Sequence, residues 1–170
     1  MAIEKRLETR FGTLILISRK GKLTYCGWDS KDSQRKYQRN KCQEDAEPCD
    51  VEVVEKAATQ LKEYLRGERQ IFDLPLDPMG TEFQRRVWSV MAEIPFGGVA
   101  TYKSLAKKCG AGKSFRALAQ ACGSNPLSII FPCHRVVAVS GLGGYTGGLD
   151  KKESLLKLER EVVGGINQNL

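Results

Sequence analysis

The sequence contains one histidine, His134, and none of its six cysteines forms a C-x-x-C pair. A structural zinc site takes four cysteine or histidine ligands at short spacings, so this inventory argues against a metal site. Runs of eighteen or more apolar residues are also missing, which predicts no transmembrane helix and no membrane partner. The chain begins with charged residues and lacks an apolar signal core, which predicts an intracellular protein, cytoplasmic in a prokaryote or nuclear in a eukaryote. Its cysteines are then expected as reduced thiols.

The composition that remains is that of a basic globular protein. Of the 170 residues, 41% are hydrophobic, enough to fill the core of one domain or of two small ones. The formal net charge of +7 favours polyanionic partners, nucleic acid above all. A solvated lysine and arginine surface explains the charge equally well, so charge alone does not decide the function.

The N-terminal part carries the signals of a small α/β lobe. Residues 12–28 hold two apolar segments joined by Lys20-Gly21, which predicts a β-hairpin. The charged segment 29–50 predicts a loop, and helical spacing from Val51 to Leu65 predicts a helix that Gly67 ends. Residues 71–76 fit either a strand or an extended linker. Pro75, Pro78 and Gly80 then predict a boundary between an N-terminal lobe, 1–78, and a C-terminal lobe, 79–170.

The C-terminal part predicts mostly helix. Thr81 and Gln84 form a capping box for a helix that ends before Pro95. Its apolar stripe consists of Phe83, Val87, Val90, Met91 and Ile94. Helices are also predicted over 102–109 and 114–122, and a glycine-containing turn between two short helices indicates a helix-turn-helix. The second of them carries small residues, which suit either tight packing in the core or close approach to DNA: Ala117, Ala119 and Ala121.

The chain ends with an apolar segment, a glycine-rich loop and a last helix. Residues 128–139 are the most apolar stretch, and 141–148 hold the glycine cluster. Asp150 and Glu153 resemble a capping arrangement for the last helix, and residues 164–170 are expected to fray. The expected fold class is α+β, a small α/β N-terminal lobe plus a mostly helical C-terminal lobe with a winged-helix-like helix-turn-helix.

A polar island, Cys133-His134-Arg135, interrupts the apolar segment. Cations beside a thiol favour the thiolate, which is the nucleophile. Neighbouring side chains in extended chain point apart, so His134 is expected to reach Cys133 through a water molecule. A histidine in this role needs an acceptor on its other nitrogen, and the last helix offers three candidates: Glu153, Glu159 and Glu161. By itself the island also fits a buried cysteine beside a structural histidine.

Several motifs in chain order resemble those of one family. Pro-Cys-His-Arg-Val at 132–136 resembles the acceptor motif of the methylated-DNA–protein-cysteine methyltransferases, also called O6-alkylguanine-DNA alkyltransferases. The other matches are Phe96-Gly97 with Thr101-Tyr102 at the helix-turn-helix, residues 116–121 and Asn125-Pro126 at the recognition helix and hinge, residues 144–148 in the active-site loop, and Glu159. The resemblance is continuous from about Thr81 to Glu159, and in the N-terminal lobe it holds only in outline.

The resemblance implies a reaction and a role for each matched residue. Cys133 accepts the alkyl group, His134 takes the thiol proton through water, and Glu159 orients His134. Tyr102 donates toward N3 of the guanine, so that guanine leaves as a neutral base, and Arg116 occupies the space of the extruded nucleotide.

Other matched residues shape the pocket and the DNA contact. Asn125 is expected to brace the turn between recognition helix and active site. The carbonyls of Cys133 and Val136 suit the exocyclic amine of guanine, and Tyr145 and the Thr146 amide line the pocket. The DNA-binding residues are expected to be Arg116, Gln84, Lys103, Ala111, Lys113 and Ser114.

The implied function is direct reversal of DNA damage. A monomer flips O6-alkylguanine, and O4-alkylthymine, out of double-stranded DNA through the minor groove, with little dependence on sequence. The alkyl group moves irreversibly to Cys133, so each molecule acts once and needs no cofactor. Some family members hold zinc in the N-terminal lobe through cysteines and histidines, a ligand set that a chain with one histidine does not supply.

Three other functions are compatible with parts of the sequence. A non-enzymatic sensor of alkylated DNA would share the C-terminal lobe but lack the acceptor cysteine, which is present here. A cysteine hydrolase would need an oxyanion hole and repeated turnover on an acyl substrate. A helix-turn-helix regulator would leave Cys133 without a role.

Overall fold

A computed structural model describes residues 3–31, 47–112 and 114–168 of the chain. The predicted loop over 29–50 therefore falls largely outside the described residues. The described part divides into two compact units, the first running to Met79 and including Pro126–Ser128, the second formed by Gly80–Asn125 and the residues from Ile129 onward. The boundary between residues 78 and 79 stays a proposal. In this described part, a three-stranded sheet, a two-stranded sheet and five α-helices give the predicted α+β class.

The first unit is built on a three-stranded antiparallel sheet in the order β1-β2-β3. The strands are β1 (Ile3–Thr9), β2 (Gly12–Arg19) and β3 (Lys22–Trp28). The predicted hairpin is confirmed, and Lys20 and Gly21 both adopt positive φ in its turn, at 52° and 68°. The first strand was not predicted, because its sequence is rich in charged residues and lacks a clear apolar alternation. It becomes a strand through its pairing with β2, which extends along its whole length.

Helix α1 (Pro48–Leu65) packs against all three strands. It begins three residues before the predicted start at Val51, because Glu47 and Asp50 form a reciprocal capping box and Pro48 occupies the first turn. Residues 71–76 form an extended linker and not a strand. A single parallel bridge joins Leu76 to Leu23 of β3, with the Leu23 amide donating to the Pro75 carbonyl at 2.8 Å.

The second unit contains helices α2 (Glu82–Ala92), α3 (Tyr102–Lys108), α4 (Phe115–Gly123) and α5 (Leu149–Gln168). The two-residue strands β4 (Ala100–Thr101) and β5 (Val136–Val137) pair in parallel. The predicted capping box of α2 is confirmed, with the Thr81 hydroxyl and the Gln84 side chain each accepting from the other's backbone amide. Helices α3 and α4 give the helix-turn-helix predicted from their glycine-containing turn.

The core of the second unit lies among α2, α3 and α4. The indole of Trp88, fully buried on α2, donates to the Ala121 carbonyl of α4 at 2.8 Å. The other buried apolar residues of this core include Val87, Met91, Leu105, Leu118, Cys122 and Val136.

The last helix differs from the prediction at both ends. It begins at Leu149, so Asp150 lies inside its first turn and is not an N-cap, while the Lys152 amide bonds back to the Gly148 carbonyl. It also continues through Gly164-Gly165 to Gln168, where fraying was expected from Gly164. Within residues 3–31, 47–112 and 114–168, no helix has both the length and the hydropathy needed to cross a bilayer.

Candidate active site

The predicted nucleophile, Cys133, opens a single 3₁₀ turn over Cys133–Arg135. The turn is held by the Arg135 amide, which donates to the Pro132 carbonyl at 2.9 Å. With three residues per turn, consecutive side chains point in directions about 120° apart. The Cys133 side chain is accordingly only partly buried, whereas His134 and Arg135 are buried. A turn, and not the extended chain assumed from the sequence, separates thiol and imidazole.

Glu159 of α5 lies at the centre of a buried charged network. Its Oε1 is 2.8 Å from His134 Nε2, and Arg135 donates to both of its oxygens at 2.9–3.1 Å. The Gly97 amide donates to its Oε2 at 2.9 Å, and Arg135 also donates to the Ile94 carbonyl. Of the three candidate carboxylates, Glu159 is therefore the one beside His134, while Glu153 and Glu161 are exposed.

The electrostatics of this network hold His134 neutral and Glu159 ionised. Burial would raise the pKa of Glu159, but the contacts with His134 and Arg135 outweigh it and lower that pKa to about 2. Burial lowers the pKa of His134 more than Glu159 raises it. A neutral imidazole that donates through Nε2 to a carboxylate has its lone pair on Nδ1, the nitrogen able to accept a proton.

Asn125 connects the end of α4 to the thiol. It is buried, and its side-chain amide donates to Cys133 Sγ at 3.2 Å and to the Phe131 carbonyl at 2.8 Å. Its backbone amide donates to the Cys122 carbonyl at 3.3 Å. A donor aimed at sulfur favours the thiolate over the thiol. The geometry thus gives Asn125 a contact with the thiol in addition to the brace predicted from the sequence.

Tyr102 opens α3 and lies half-buried beside the glycine-rich loop. Burial raises the pKa of its phenol, as do the nearby Cys122 and Cys133, so the hydroxyl keeps its proton. Gly143 has a positive φ of 71°, and a Cβ on it would lie 3.0 Å from the Tyr102 ring. Glycine at 143 therefore allows the loop backbone to approach the tyrosine.

Lys152 is a buried cation at this site that the sequence analysis missed. Its ammonium group donates to the Val136 carbonyl at 2.6 Å and to the Gly144 carbonyl at 3.0 Å, joining α5 to β5 and to the loop. Burial lowers its pKa, although Cys133 and Cys122 act to raise it. The signal was available, because Lys152 falls at helical spacing with the buried Leu155, Leu156 and Glu159.

The predicted pocket residues border the same loop. Val136 is buried, and its carbonyl accepts from Lys152, while the Cys133 carbonyl accepts from the Val136 amide. Each carbonyl has a second lone pair that can accept another donor. Tyr145 and Thr146 are partly buried, and the Thr146 hydroxyl donates to the Gly123 carbonyl at 3.0 Å.

The predicted DNA-binding residues are distributed around the helix-turn-helix. Arg116 is exposed on α4, and Lys103 and Ser114 are exposed as well. Ala111 is partly buried, packing against the core. The Gln84 side chain is already engaged by the Thr81 amide and the Ser124 hydroxyl, and Lys113 lies outside the described residues. The DNA contacts of these residues stay predictions.

The small residues of α4 divide between the two roles that the sequence left open. Ala121 is buried against Trp88, as expected for tight packing. Ala117 and Ala119 are exposed, so small side chains flank Arg116 and Gln120 on the exposed face of α4. This part of the helix can approach another molecule closely.

Both parts of the chain match models of known protein families. Residues 82–161 match the DNA binding domain of 6-O-methylguanine DNA methyltransferase, and residues 4–78 match its ribonuclease-like domain. A methylated-DNA–protein-cysteine methyltransferase of Methanosarcina acetivorans is 50% identical over 109 residues, 64% of this chain and 70% of that protein. One from Mycolicibacterium paratuberculosis is 50% identical over 105 residues, 61% of this chain and 64% of that protein.

A solved structure agrees over nearly the whole chain. Mycobacterium tuberculosis OGT in complex with DNA superposes with a TM-score of 0.81 and 35% sequence identity, covering 94% of this chain and 93% of that one. Since both family domains match in order and the relatives share half of the aligned residues, this chain belongs to the 6-O-methylguanine DNA methyltransferase family.

Proposed function

We propose that this protein repairs O6-alkylguanine, and O4-alkylthymine, in double-stranded DNA by moving the alkyl group onto Cys133. One observation carries the proposal, a partly exposed thiol held by Asn125 and adjoining a buried pair of His134 and Glu159. Family membership supports it, as does the DNA complex of the related mycobacterial protein.

The proposed chemistry begins with loss of the thiol proton. His134 accepts the proton of Cys133 through one water molecule at Nδ1, and Glu159 stabilises the imidazolium that forms. The amide of Asn125 and the ammonium group of Lys152 favour the resulting thiolate. The pair His134–Glu159 is thus the base of the reaction, while Cys133 is its nucleophile.

Alkyl transfer is a displacement at a saturated carbon. The thiolate sulfur forms a bond to the alkyl carbon, the bond from that carbon to O6 breaks, and its electron pair stays with the guanine. The Tyr102 phenol, which is protonated before the reaction, gives its proton to N3 as the bond to O6 breaks, so guanine leaves as a neutral base. The tyrosinate then regains a proton and the His134 imidazolium loses the one it took from Cys133, which balances the transfer. The product is a thioether. Water does not readily displace the sulfur from the alkyl carbon, so Cys133 is not regenerated and each molecule reacts once.

The target base must leave the stacked duplex before it reaches the thiol, at a cost of a few kcal/mol. We infer that α4 enters the minor groove, where the exposed Ala117 and Ala119 permit close approach. Arg116 fills the space of the extruded nucleotide. The protein binds as a monomer, and phosphate contacts from Lys103, Lys113 and Ser114 position it on DNA with little regard to sequence. Gln84 and Ala111 complete the DNA-binding surface.

The flipped base is expected to lie against the glycine-rich loop. The carbonyls of Cys133 and Val136 would accept from the exocyclic amine, and the Thr146 amide would line the pocket. Tyr145 would form one wall of the pocket. Both carbonyls lie within the turn and strand that carry Cys133, so the acceptor sulfur and the specificity contacts are held by one short segment.

The acceptor assignment is tested with two cysteine variants. Cys133→Ala should abolish transfer and leave DNA binding nearly intact. Cys122→Ala is the matched control, because burial and the neighbouring thiols raise the pKa of Cys122 to about 12 and keep it protonated. It should transfer like the wild type. Stoichiometric methylation of the Cys133→Ala protein on any other cysteine would refute the assignment.

Base flipping is tested by comparing two substrates. Arg116→Ala should slow transfer from duplex DNA by roughly 10- to 100-fold, because the wedge offsets the unstacking cost. Free O6-benzylguanine needs no flipping, and its reaction should change little. Equal losses on the two substrates would assign Arg116 to the chemistry or the fold.

The salt dependence of DNA binding separates repair from sequence-specific regulation. If phosphate contacts dominate, the affinity for undamaged duplexes of unrelated sequence should be similar and should fall steeply with salt. Tight binding to one sequence that resists salt would instead favour the regulator hypothesis.

A further inference from the structure

One exposed aromatic side chain of the helix-turn-helix has no place in the proposed reaction. Phe115 is the first residue of α4, and 46% of its surface is exposed, although phenylalanine is normally buried. It directly precedes Arg116, and the exposed positions that follow are the small Ala117 and Ala119 and then Gln120. Phe115 and Arg116 are therefore the two large side chains at the N-terminal end of the exposed α4 surface.

Phe115 borders an open groove of about 740 Å³ between one side of α3, the turn that follows it and the start of α4. The opposite wall belongs to α3, with Lys103, Ser104 and Lys107. None of the lining residues within the described part of the chain carries a carboxylate. Its lining includes two lysines, the hydroxyl groups of Thr101 and Ser104, and the Phe115 side chain.

Neighbouring lysines of α3 face different surroundings. Lys107 lines the groove, whereas the ammonium group of Lys108 lies 3.9 Å from Glu93 of α2. The positive charge of the groove is thus concentrated on Lys103 and Lys107. A phosphate bound there meets two cations and no acidic lining residue.

We propose that this groove, lined by Lys103, Ser104, Lys107 and Phe115, binds one nucleotide of the DNA that flanks the flipped base. Its phosphate lies between the two lysines, and its sugar or base packs on the Phe115 ring. The proposal rests on the proposed function, because it takes α4 as the helix that enters the minor groove. It adds Phe115 as a second wedge beside Arg116.

The chemistry of the lining favours a nucleotide over a protein partner. An acidic peptide would satisfy the lysines but would leave the exposed ring without a matching flat surface. A nucleotide supplies both a phosphate and a stacking face, and aromatic stacking on a base contributes about 1–3 kcal/mol. Apolar wedges such as phenylalanine also occur in proteins that open the minor groove.

The lysines and the aromatic ring of the groove are expected to affect the salt dependence of DNA affinity differently. Lys107→Gln should reduce the slope of log affinity against log salt by about one unit, the effect of losing one phosphate contact. Lys108→Gln is the matched control and should leave the slope unchanged. Phe115→Ala should lower the affinity for duplex DNA roughly 5- to 100-fold without changing the slope, because stacking carries no counterion release.

A fluorescent variant reports the stacking directly. Phe115→Trp places an indole in the groove, and DNA binding should quench its emission. The two native tryptophans, Trp28 and Trp88, are each 1% exposed, so the wild-type emission should change little on DNA addition. Ile71→Ala, at an 80% exposed apolar residue of the first unit, serves as a control for loss of a surface side chain.

Reaction with free O6-benzylguanine separates this inference from the proposed function. All the variants should react with the free base at the wild-type rate. The inference is wrong if Phe115→Ala binds and repairs duplex DNA like the wild type, or if Lys107→Gln and Lys108→Gln have equal salt slopes. Failure of the wild-type protein to react with alkylated DNA or with the free base would instead overturn the proposed function.

Discussion

At the scale of single residues, the position of Glu159 beside His134 bears most directly on the proposed reaction. Its place in the family pattern predicted a contact with His134, and the buried hydrogen bond of 2.8 Å has that geometry. Glu159 is completely buried, so it is not a solvated residue on the surface of the last helix. The second partner, Arg135, was not predicted, since a sequence does not reveal which face of a 3₁₀ turn a side chain takes.

Glu159→Gln should slow single-turnover methyl transfer and shift the midpoint of its pH profile upward. The carboxylate favours the imidazolium that forms as Cys133 loses its proton, so removing its charge makes the thiolate available only at higher pH. The measurement is the transfer rate against pH for both proteins. Glu161→Gln, at an exposed position of the same helix, is the control, and superimposable profiles for Glu159→Gln and the wild type would remove Glu159 from the mechanism.

Asn125→Ala should weaken both the fold and the reaction. The change removes the part-buried hydrogen bond from Asn125 to the Phe131 carbonyl, whose loss costs roughly 0.5–1.5 kcal/mol of unfolding free energy. It also removes the donor to Cys133 Sγ, so transfer from duplex DNA and from free O6-benzylguanine should slow by similar factors. Chemical denaturation and the two rates check this, and a loss confined to duplex DNA would limit Asn125 to positioning the DNA.

At the scale of elements, the sequence predicted those helices and turns whose signals lie within a few neighbouring residues. The hairpin turn, the capping box of α2 and the helices of the helix-turn-helix each have a signal within a few residues. Strand β1 was missed because only its pairing with β2 makes it a strand. The left-handed conformation of Ile129, φ 74°, was equally beyond prediction, since β-branched residues rarely adopt it without tertiary packing.

The glycine-rich loop offers a matched pair of substitutions. Gly143→Ala should lower transfer from duplex DNA, because a Cβ at φ 71° is strained and would press on the Tyr102 ring at 3.0 Å. Gly144→Ala meets no heavy atom within 4 Å and should behave like the wild type. Transfer rates and thermal unfolding of the two variants check this. Equal behaviour would mean that the loop does not fix the position of Tyr102.

At the scale of the whole molecule, the buried charged network links stability to pH. The pKa of Glu159 is lowered in the folded protein to about 2 from 4.5, and that of His134 is lowered by burial. In both cases the unfolded chain binds more protons, so the unfolding free energy falls as the pH falls. The unfolding free energy begins to fall near pH 6.5, the ordinary pKa of histidine, where His134 of the unfolded chain takes up a proton. It falls further from pH 4.5 to about 2, where Glu159 is protonated in the unfolded chain but still ionised in the folded protein.

Glu159→Gln should remove the second part of this dependence, because the variant lacks the carboxylate that takes up a proton as the pH falls below 4.5. The variant should also be less stable than the wild type at neutral pH, because Arg135 loses its buried partner. Denaturant unfolding at several pH values measures both effects, and Glu161→Gln should keep the wild-type slope. An unchanged slope in Glu159→Gln would mean that Glu159 is not ionised in the folded protein.

The most direct test of the central claim is the intact mass of the protein after reaction with excess O6-methylguanine duplex DNA. We expect every molecule to gain the mass of one methylene group and no more, with the modification on the peptide that contains Cys133. Removal of more than one methyl group per protein molecule, or stable methylation at another residue, would contradict the proposed single transfer to Cys133.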